Sequence, residues 1–318
     1  MTPSGKAVDL LIEPTLHSDL LRGRTAVVTG GSRGIGGATA EMLVANGANV
    51  VIADVDSAKA QRAVADLNES FGAGLSSAFV ADLVAPDACD RLVAHTLETF
   101  GGVDIVVNNA GYAWDAKVHS MTDDQFQAML DIHLVVPFRL ARACAPVFRA
   151  AAEADDEAGR PQHRKTVMVS SMAGEWGLVG AGNYAAAKAG VLGLMRTLAQ
   201  EWGRYRVNVN AVAFGVVQTR FGLPQSPHEV IETGGRTIHV GMPRRQAERR
   251  GVVSGTDGPR PDEETYAARP MRNQVVALGR SGTISDAANS IFWLCSPLSD
   301  YMTGQVLAVN GGARGGMS

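Results

Sequence analysis

The sequence predicts an α/β fold, a doubly wound parallel sheet of about seven strands in a single domain. Three observations carry the prediction. Short β-branched runs alternate with longer amphipathic stretches from residue 24 onward, a glycine-rich turn joins the first run to the first such stretch, and several stretches begin or end on boundary residues. The runs that read as strands are Thr25–Thr29, Asn49–Asp54, Ser77–Ala81, Asp104–Val107, Thr166–Ser170, Val207–Val212 and Gln305–Val309. Helices are expected over Gly34–Asn46, Asp87–Thr99, Asp123–Ala150 and Asn183–Trp202. Thr122 and Gln125 have the spacing of a capping box, and Gly47 stands where a glycine ends the first helix. Three segments break the rhythm. Residues 1–22 read as an arm before the domain at 23–318, Ala151–Lys165 as a polar extension, and Phe221–Met271 as an unusually long connector within an insertion at about 220–278.

With 318 residues, 46% of them hydrophobic, the chain can bury a sizeable core. Its 29 basic and 32 acidic residues give a net charge of −3, so nothing broad in its electrostatics calls for nucleic acid or an anionic membrane, and a small ligand fits better. Cys89, Cys144 and Cys295 lie far apart without a CxxC pair or a histidine at ligand spacing, so neither disulfides nor a metal site is expected. No apolar run approaches the roughly 20 residues of a membrane span, and the first residues include Lys6, Asp9, Glu13 and Asp19, which together point to a cytoplasmic location. Glycine is in excess, 36 residues, and the excess is clustered. The chemistry is to be sought in those clusters.

The first cluster is Thr29-Gly30-Gly31-Ser32-Arg33-Gly34-Ile35-Gly36, directly after a strand and opening a helix. Glycine lets backbone turn tightly and approach a phosphate, and the helix N-terminus offers N–H donors, which makes a pyrophosphate seat of Gly30, Ser32, Arg33, Gly34, Ile35 and Gly36. The spacing is GxxxGxG, not GxGxxG, and without its strand-turn-helix setting it would be an ordinary tight turn. The second strand ends in Asp54, followed by Val55, where a carboxylate accepts hydrogen bonds from ribose hydroxyls and repels a 2′-phosphate. NAD is therefore preferred, although Arg33 is a cation that suits the 2′-phosphate of NADP. Asp82 and Leu83 end the third strand near the expected adenine, and Asn108-Asn109-Ala110-Gly111 ends the fourth at the sheet edge where ligands bind.

Tyr184 and Lys188 stand at i and i+4 on one helix, so they share a face, and an ammonium near a phenol favours the phenolate that acid/base work on a carbonyl requires. Ser171, thirteen residues earlier, ends the fifth strand.

TGGSRGIG, NNAG, Ser171 with the YAAAK run at Tyr184–Lys188, and the final TGQVLAVNGG resemble, in order and spacing, the short-chain dehydrogenase/reductase family, from about Arg22 to Gly312. The resemblance implies a Rossmann-like fold and a nicotinamide-dependent oxidoreductase that interconverts a secondary alcohol and a ketone. It implies that Ser171 holds the substrate oxygen, Tyr184 exchanges the proton, and Lys188 binds the nicotinamide ribose and lowers the Tyr184 pKa. It further implies cofactor contacts from Asn109, Ala110, Gly111, Gly215, Val217 and Thr219, and a homotetramer or homodimer. Two departures stand out. His133, in His133-Leu134-Val135-Val136-Pro137-Phe138, replaces the family's asparagine, as in members similar to the (3R)-hydroxyacyl-CoA dehydrogenases of multifunctional β-oxidation enzymes, and either relays a proton or packs. Ala213-Phe214-Gly215 replaces the usual Pro-Gly, where Gly215 is expected to admit the nicotinamide amide.

In this resemblance the long connector is the substrate lid, with Phe221, Leu223, Ile231, Ile238, Val240 and Met242 as apolar pocket candidates. Arg244, Arg245, Arg249 and Arg250 would meet the phosphates of an acyl thioester or form a solvated face balanced by Asp257, Asp262, Glu263 and Glu264. A 3-oxoacyl or 3-hydroxyacyl thioester (of CoA or a carrier protein) is thus the alternative substrate, and a non-catalytic dinucleotide sensor or a dehydratase or epimerase the readings from other classes.

Overall fold

The computed structural model describes residues 19–225, 229–241 and 276–313. In chain order its strands are β1 (Thr25–Thr29), β2 (Asn49–Asp54), β3 (Ser76–Val80), β4 (Ile105–Asn108), β5 (Arg164–Ser171), β6 (Val207–Phe214), β7 (Val230–Thr233), β8 (Arg236–His239) and β9 (Val306–Val309). The helices are α1 (Gly34–Ala45), α2 (Ser57–Phe71), α3 (Ala88–Phe100), α4 (Asp123–Leu130), α5 (Val136–Glu157), α6 (Met172–Trp176), α7 (Gly182–Trp202) and α8 (Ile284–Cys295). Seven strands form one parallel sheet in the order β3-β2-β1-β4-β5-β6-β9. The chain runs outward from β1 to β3 and then returns to lay β4 beside β1, and the crevice at that reversal is where open α/β sheets bind ligands.

Alternation along each strand divides the core between the two faces. Val27 and Val106 join one apolar cluster with Leu140, Leu192 and Met195 of α5 and α7, whereas Val28 and Val107 join another with Leu43 of α1 and Ile291 of α8. The amino ends of the strands are fastened by charge. Asp104 accepts from Thr25 N (2.9 Å) and pairs with Arg24 (3.3 Å) and with the buried Arg164 (3.6 Å), which also pairs with Asp155 (2.8 Å). Beside them the buried Lys165 donates to Asp300 (2.6 Å) and Asn208 (3.1 Å).

The seven expected strands are present, with ends shifted by one or two residues in most of them. The capping box closes as expected, with Gln125 N donating to Thr122 Oγ1 (3.1 Å) and Thr122 N to Gln125 Oε1 (3.0 Å), and Gly47 adopts φ +91° after α1. Other features differ from expectation. Helix α2 adds a further stretch to the helices named from the sequence, and Asp56 caps it by accepting from Lys59 N at 3.1 Å. The helix expected over Asp123–Ala150 is α4 and α5 separated by a π turn at Asp131–Val135, and it continues to Glu157. The first half of the polar extension, to Glu157, is therefore helical, because Ala152 is buried and Asp155 is held by Arg164; the helix stops before Gly159, at φ +63°. The connector also contains structure: β7 and β8 form an antiparallel hairpin turned by Gly234 (φ +56°) and Gly235 (φ +72°), the positive angles that a two-residue turn between twisted strands requires. At the start of the described chain Leu21 is buried and its N–H donates to Asn46 O (2.9 Å), tying the end of the predicted arm to α1.

Candidate active site

The glycine turn after β1 is shaped by close approach. A Cβ on Gly36 would lie 2.2 Å from Gly30 O and 2.5 Å from Asn109 Nδ2, and Gly30 and Gly34 adopt φ +61° and +57°. The β4 end braces this turn: Asn109 Nδ2 donates to Thr29 O (2.9 Å) and Gly30 O (3.1 Å), while Thr29 Oγ1 accepts from Asn109 N and Ala110 N (3.0 Å each). The amide of Asn109 is thus spent on the turn itself. Bare backbone before α1, with no acidic side chain in the first helical turn, fits a pyrophosphate.

A cleft runs from this turn along the carboxyl ends of the strands. Among the predicted residues Gly30, Arg33, Gly34, Ile35 and Gly36 line it, as do Asp54 and Val55, Asp82 and Leu83, Asn109, Ala110 and Gly111, and Thr219. Ser32 faces the adjoining groove between α1 and α2 and donates to Asp54 Oδ2 from Oγ (2.6 Å) and N (3.2 Å), fixing the carboxylate at the end of β2. The hairpin adds Ile231, a pocket candidate from the sequence, and Thr233, which sequence reasoning missed, to the lining of the same cleft. It places Asp82 beside an adenine, but both oxygens of that carboxylate already accept from the hairpin, Oδ1 from Thr233 Oγ1 and Oδ2 from Gly234 N at 2.7 Å each.

Ser171, Tyr184 and His133 come together next to the cleft. Ser171 lies beside the Tyr184 phenol and favours its charged form, and the His133 ring meets that of Tyr184 edge-on at 5.0 Å. Asn183 sets the start of α7, its Nδ2 donating to Trp114 O (3.0 Å) and Gln125 O (2.9 Å) while its Oδ1 accepts from Tyr184 N (2.8 Å). Lys188 Nζ lies 5.6 Å from the centroid of the Tyr184 ring and donates to Val169 O at 2.6 Å. The expectation that this lysine lowers the phenol pKa is not what the coenzyme-free geometry gives. Burial pushes Tyr184 up to about 12, opposed by the adjacent Ser171 hydroxyl, and Asp115 adds to the rise; burial pushes Lys188 down to about 7. An amine that loses its proton near 7 is neutral where the phenol titrates, so it offers that phenolate no charge.

His133 is buried on the π turn. Its Nε2 donates to Tyr112 O (2.8 Å), and burial with the nearby Lys188 holds its pKa well below the ordinary range, so the ring is neutral with Nδ1 as an acceptor. Nδ1 has no hydrogen-bond partner among the described residues. The ring rests on the cleft floor, where a Cβ on Gly111 would lie 2.2 Å from its Cε1.

At the far end of the site two of the expected residues make protein contacts of their own. At Gly215 a Cβ would sit 2.8 Å from Asn310 Cβ, so the β6 end packs closely against the β9 end there. The Val217 side chain packs on the core cluster shared with α1 and α8, and its backbone pairs with Gly282. Of the proposed lid pocket, Leu223, Ile238 and Val240 are buried as hairpin core, and Ile231 faces the cleft. The Phe221 side chain, Met242, the arginine run from Arg244 to Arg250 and the acidic residues Asp257 to Glu264 lie outside the described residues. Among the described residues no group of three or more His, Cys, Asp or Glu is placed to hold a metal, and no helix is long and apolar enough to cross a membrane.

The family model of the short chain dehydrogenases matches residues 24–229. The chain belongs to the short-chain dehydrogenase family. A second model, described as enoyl-(acyl carrier protein) reductase, matches residues 259–314 of this dehydrogenase. It is 32% identical over 295 residues to an uncharacterised oxidoreductase of Mycobacterium bovis, covering 93% of this chain and 98% of that one. It is 31% identical over 290 residues to the 3-oxoacyl-[acyl-carrier-protein] reductase of Escherichia coli, covering 91% and 97%. Among solved structures it resembles the L-sorbose reductase of Gluconobacter frateurii, complexed with NADPH and L-sorbose, at TM-score 0.74 and 24% identity, over 93% and 98% of the two chains. The dehydrogenase is accordingly an NAD(P)-dependent oxidoreductase acting on CH–OH groups.

Proposed function

We propose that the enzyme interconverts a secondary alcohol and a ketone with NAD as the preferred coenzyme, Tyr184 being the acid/base. The observation that carries this is the gathering of Ser171, Tyr184, Lys188 and His133 beside a cleft whose glycine floor fits a pyrophosphate. When bound, the dinucleotide supplies or accepts the hydride. In the reducing direction Ser171 donates a hydrogen bond to the substrate oxygen and Tyr184 delivers its proton to it, which suits a phenol that burial keeps protonated at neutral pH. Lys188, neutral or charged near pH 7, holds the nicotinamide ribose. His133 Nδ1 accepts from a water and so holds it in place of the family's asparagine; that water takes a proton from bulk solvent as it gives one to the Tyr184 phenolate. Backbone around Gly30–Gly36 seats the pyrophosphate, and Asp54, oriented by Ser32, holds the adenosine ribose and disfavours a 2′-phosphate. The expected arm falls mostly at 1–18 and much of the expected lid at 242–275, both outside the described residues, and the enzyme works as a cytoplasmic homotetramer or homodimer.

A second reading narrows the substrate to a 3-oxoacyl or 3-hydroxyacyl thioester. Its support is that curated relatives of Escherichia coli and Vibrio cholerae, 31% and 30% identical, are 3-oxoacyl-[acyl-carrier-protein] reductases. Both readings are tested by titrating the protein with NAD(H) and NADP(H), then screening secondary alcohols, ketosteroids and 3-oxoacyl thioesters at the reduced-nicotinamide absorbance. Turnover of thioesters alone selects the second reading; coenzyme binding without turnover of any class removes both.

A further inference from the structure

The β7–β8 hairpin is fixed to the rim of the cleft at the end where Asp54 stands. Asp82 holds its turn through Thr233 and Gly234, Arg236 reaches Asp124 (2.6 Å) and Asp131 (3.1 Å), and Ile238 is buried in the core. Glu229, just before β7, is itself pinned, because its carbonyl accepts from Val240 N at 2.9 Å. From this position its carboxylate lies 3.5 Å from Arg33 Nη1, both side chains being about three-quarters covered, at 25% and 28% exposure. Arg33 caps α1 within the glycine turn, so neither partner's backbone is on a free loop.

We propose that Glu229 is a coenzyme-specificity residue, delivered by the hairpin to neutralise the arginine that would otherwise bind a 2′-phosphate. A guanidinium beside the adenosine ribose is the group that recognises NADP, and it does so through charge and its fork of donors. Occupied by a carboxylate, it offers less of both. The incoming phosphate then meets two carboxylates, Asp54 from the sheet and Glu229 from the lid. Discrimination against NADP is therefore shared between the end of β2 and the hairpin segment, whose Ile231 and Thr233 line the same cleft as Arg33 and Asp54. The inference rests on the reading that the adenosine half of the coenzyme lies at Asp54, and it holds whichever substrate the enzyme takes.

The test is isothermal titration of the full-length protein with NADH, NADPH, 5′-AMP and 2′,5′-ADP. Glu229→Gln is expected to tighten NADPH and 2′,5′-ADP about tenfold, from loss of one partly screened charge, and to leave NADH and 5′-AMP within about twofold. Glu229→Asp should keep the wild-type ratio. In an Arg33→Gln background the same Glu229→Gln change should shift the ratio less than about twofold. An unchanged NADPH/NADH ratio in Glu229→Gln overturns the proposal, and so does an equal shift with Arg33 already replaced. A wild type that prefers NADPH overturns the NAD assignment made from Asp54, and the Glu229 result is read separately from it. Failure of both adenosine fragments to bind wild type removes the placement on which the two share.

Discussion

Lys188→Met is expected to make the coenzyme-free protein more stable at neutral pH while abolishing turnover. Burial brings the ammonium from 10.5 to about 7, a gap of about 3.5, and at ~1.4 kcal/mol for each pKa unit a protonated Lys188 costs the fold up to about 5 kcal/mol. Against this stands the hydrogen bond from Nζ to Val169 O, and a charge-assisted bond of that kind contributes about 1.5–3 kcal/mol. A methionine fills nearly the same volume without the charge, leaving a net gain of about 2 kcal/mol, or about 3 °C in Tm for a chain of this length. The sign depends on pH in a defined way. Between pH 7 and 10.5 the unfolded chain binds a proton at this position and the folded chain does not, so wild-type stability rises across that window. The advantage of the variant is thus largest below pH 7 and fades toward pH 10.5. Urea unfolding at fixed protomer concentration, from pH 6.5 to 9.5, measures it. A gap that does not change with pH would refute a desolvated, neutral-leaning lysine.

Tyr184→Phe should lower kcat by at least about a thousandfold while NADH still binds; near-normal turnover would remove the acid/base assignment. Gly111→Ala would drive a Cβ into His133, and a destabilisation of about 1–3 kcal/mol with loss of turnover is expected, read by thermal unfolding and rate; a neutral outcome would mean that the imidazole is free to leave its seat. Asp54→Ala should raise kcat/KM for NADPH relative to NADH by about tenfold, and an unchanged ratio would remove the ribose role. Cys89, Cys144 and Cys295 are buried, with burial pushing their thiols up, to about 11 for Cys89 and about 12 for Cys295. Ellman's reagent should therefore react with them only on unfolding, and prompt labelling of the native protein would contradict their burial.

What the sequence made legible was local chemistry. Strands showed because Val and Ile crowd them, the turn after β1 because glycines cluster there, and the Tyr184–Lys188 pair because one helical turn separates them. The hairpin was legible in principle, since Glu232-Thr233-Gly234-Gly235-Arg236 carries a two-residue glycine turn between short alternating runs, but the length of the connector hid it. The end of α5 was obscured because its acidic last turns are secured by Arg164, a residue beyond the helix. Long-range facts left no trace at all. Nothing in the sequence shows Asn310 packed against Gly215, and Lys188 looks like a cation until its burial is seen. Nothing near Arg33 in sequence announces Glu229.

The two rims of the sheet carry different burdens. Across the eight residues of β5, roughly 23 Å of strand at ~3.3 Å per residue, the chain passes from Arg164 among its ion pairs to Ser171 beside the phenol. Substitutions at the Arg24, Asp104, Arg164, Lys165 and Asp300 rim are expected to act on stability alone, while those at Asp54, Glu229 and Tyr184 are expected to act on coenzyme choice and turnover. A library for new selectivity can therefore be confined to the carboxyl rim and the hairpin. It would draw on a reserve of stability lodged a full strand length away.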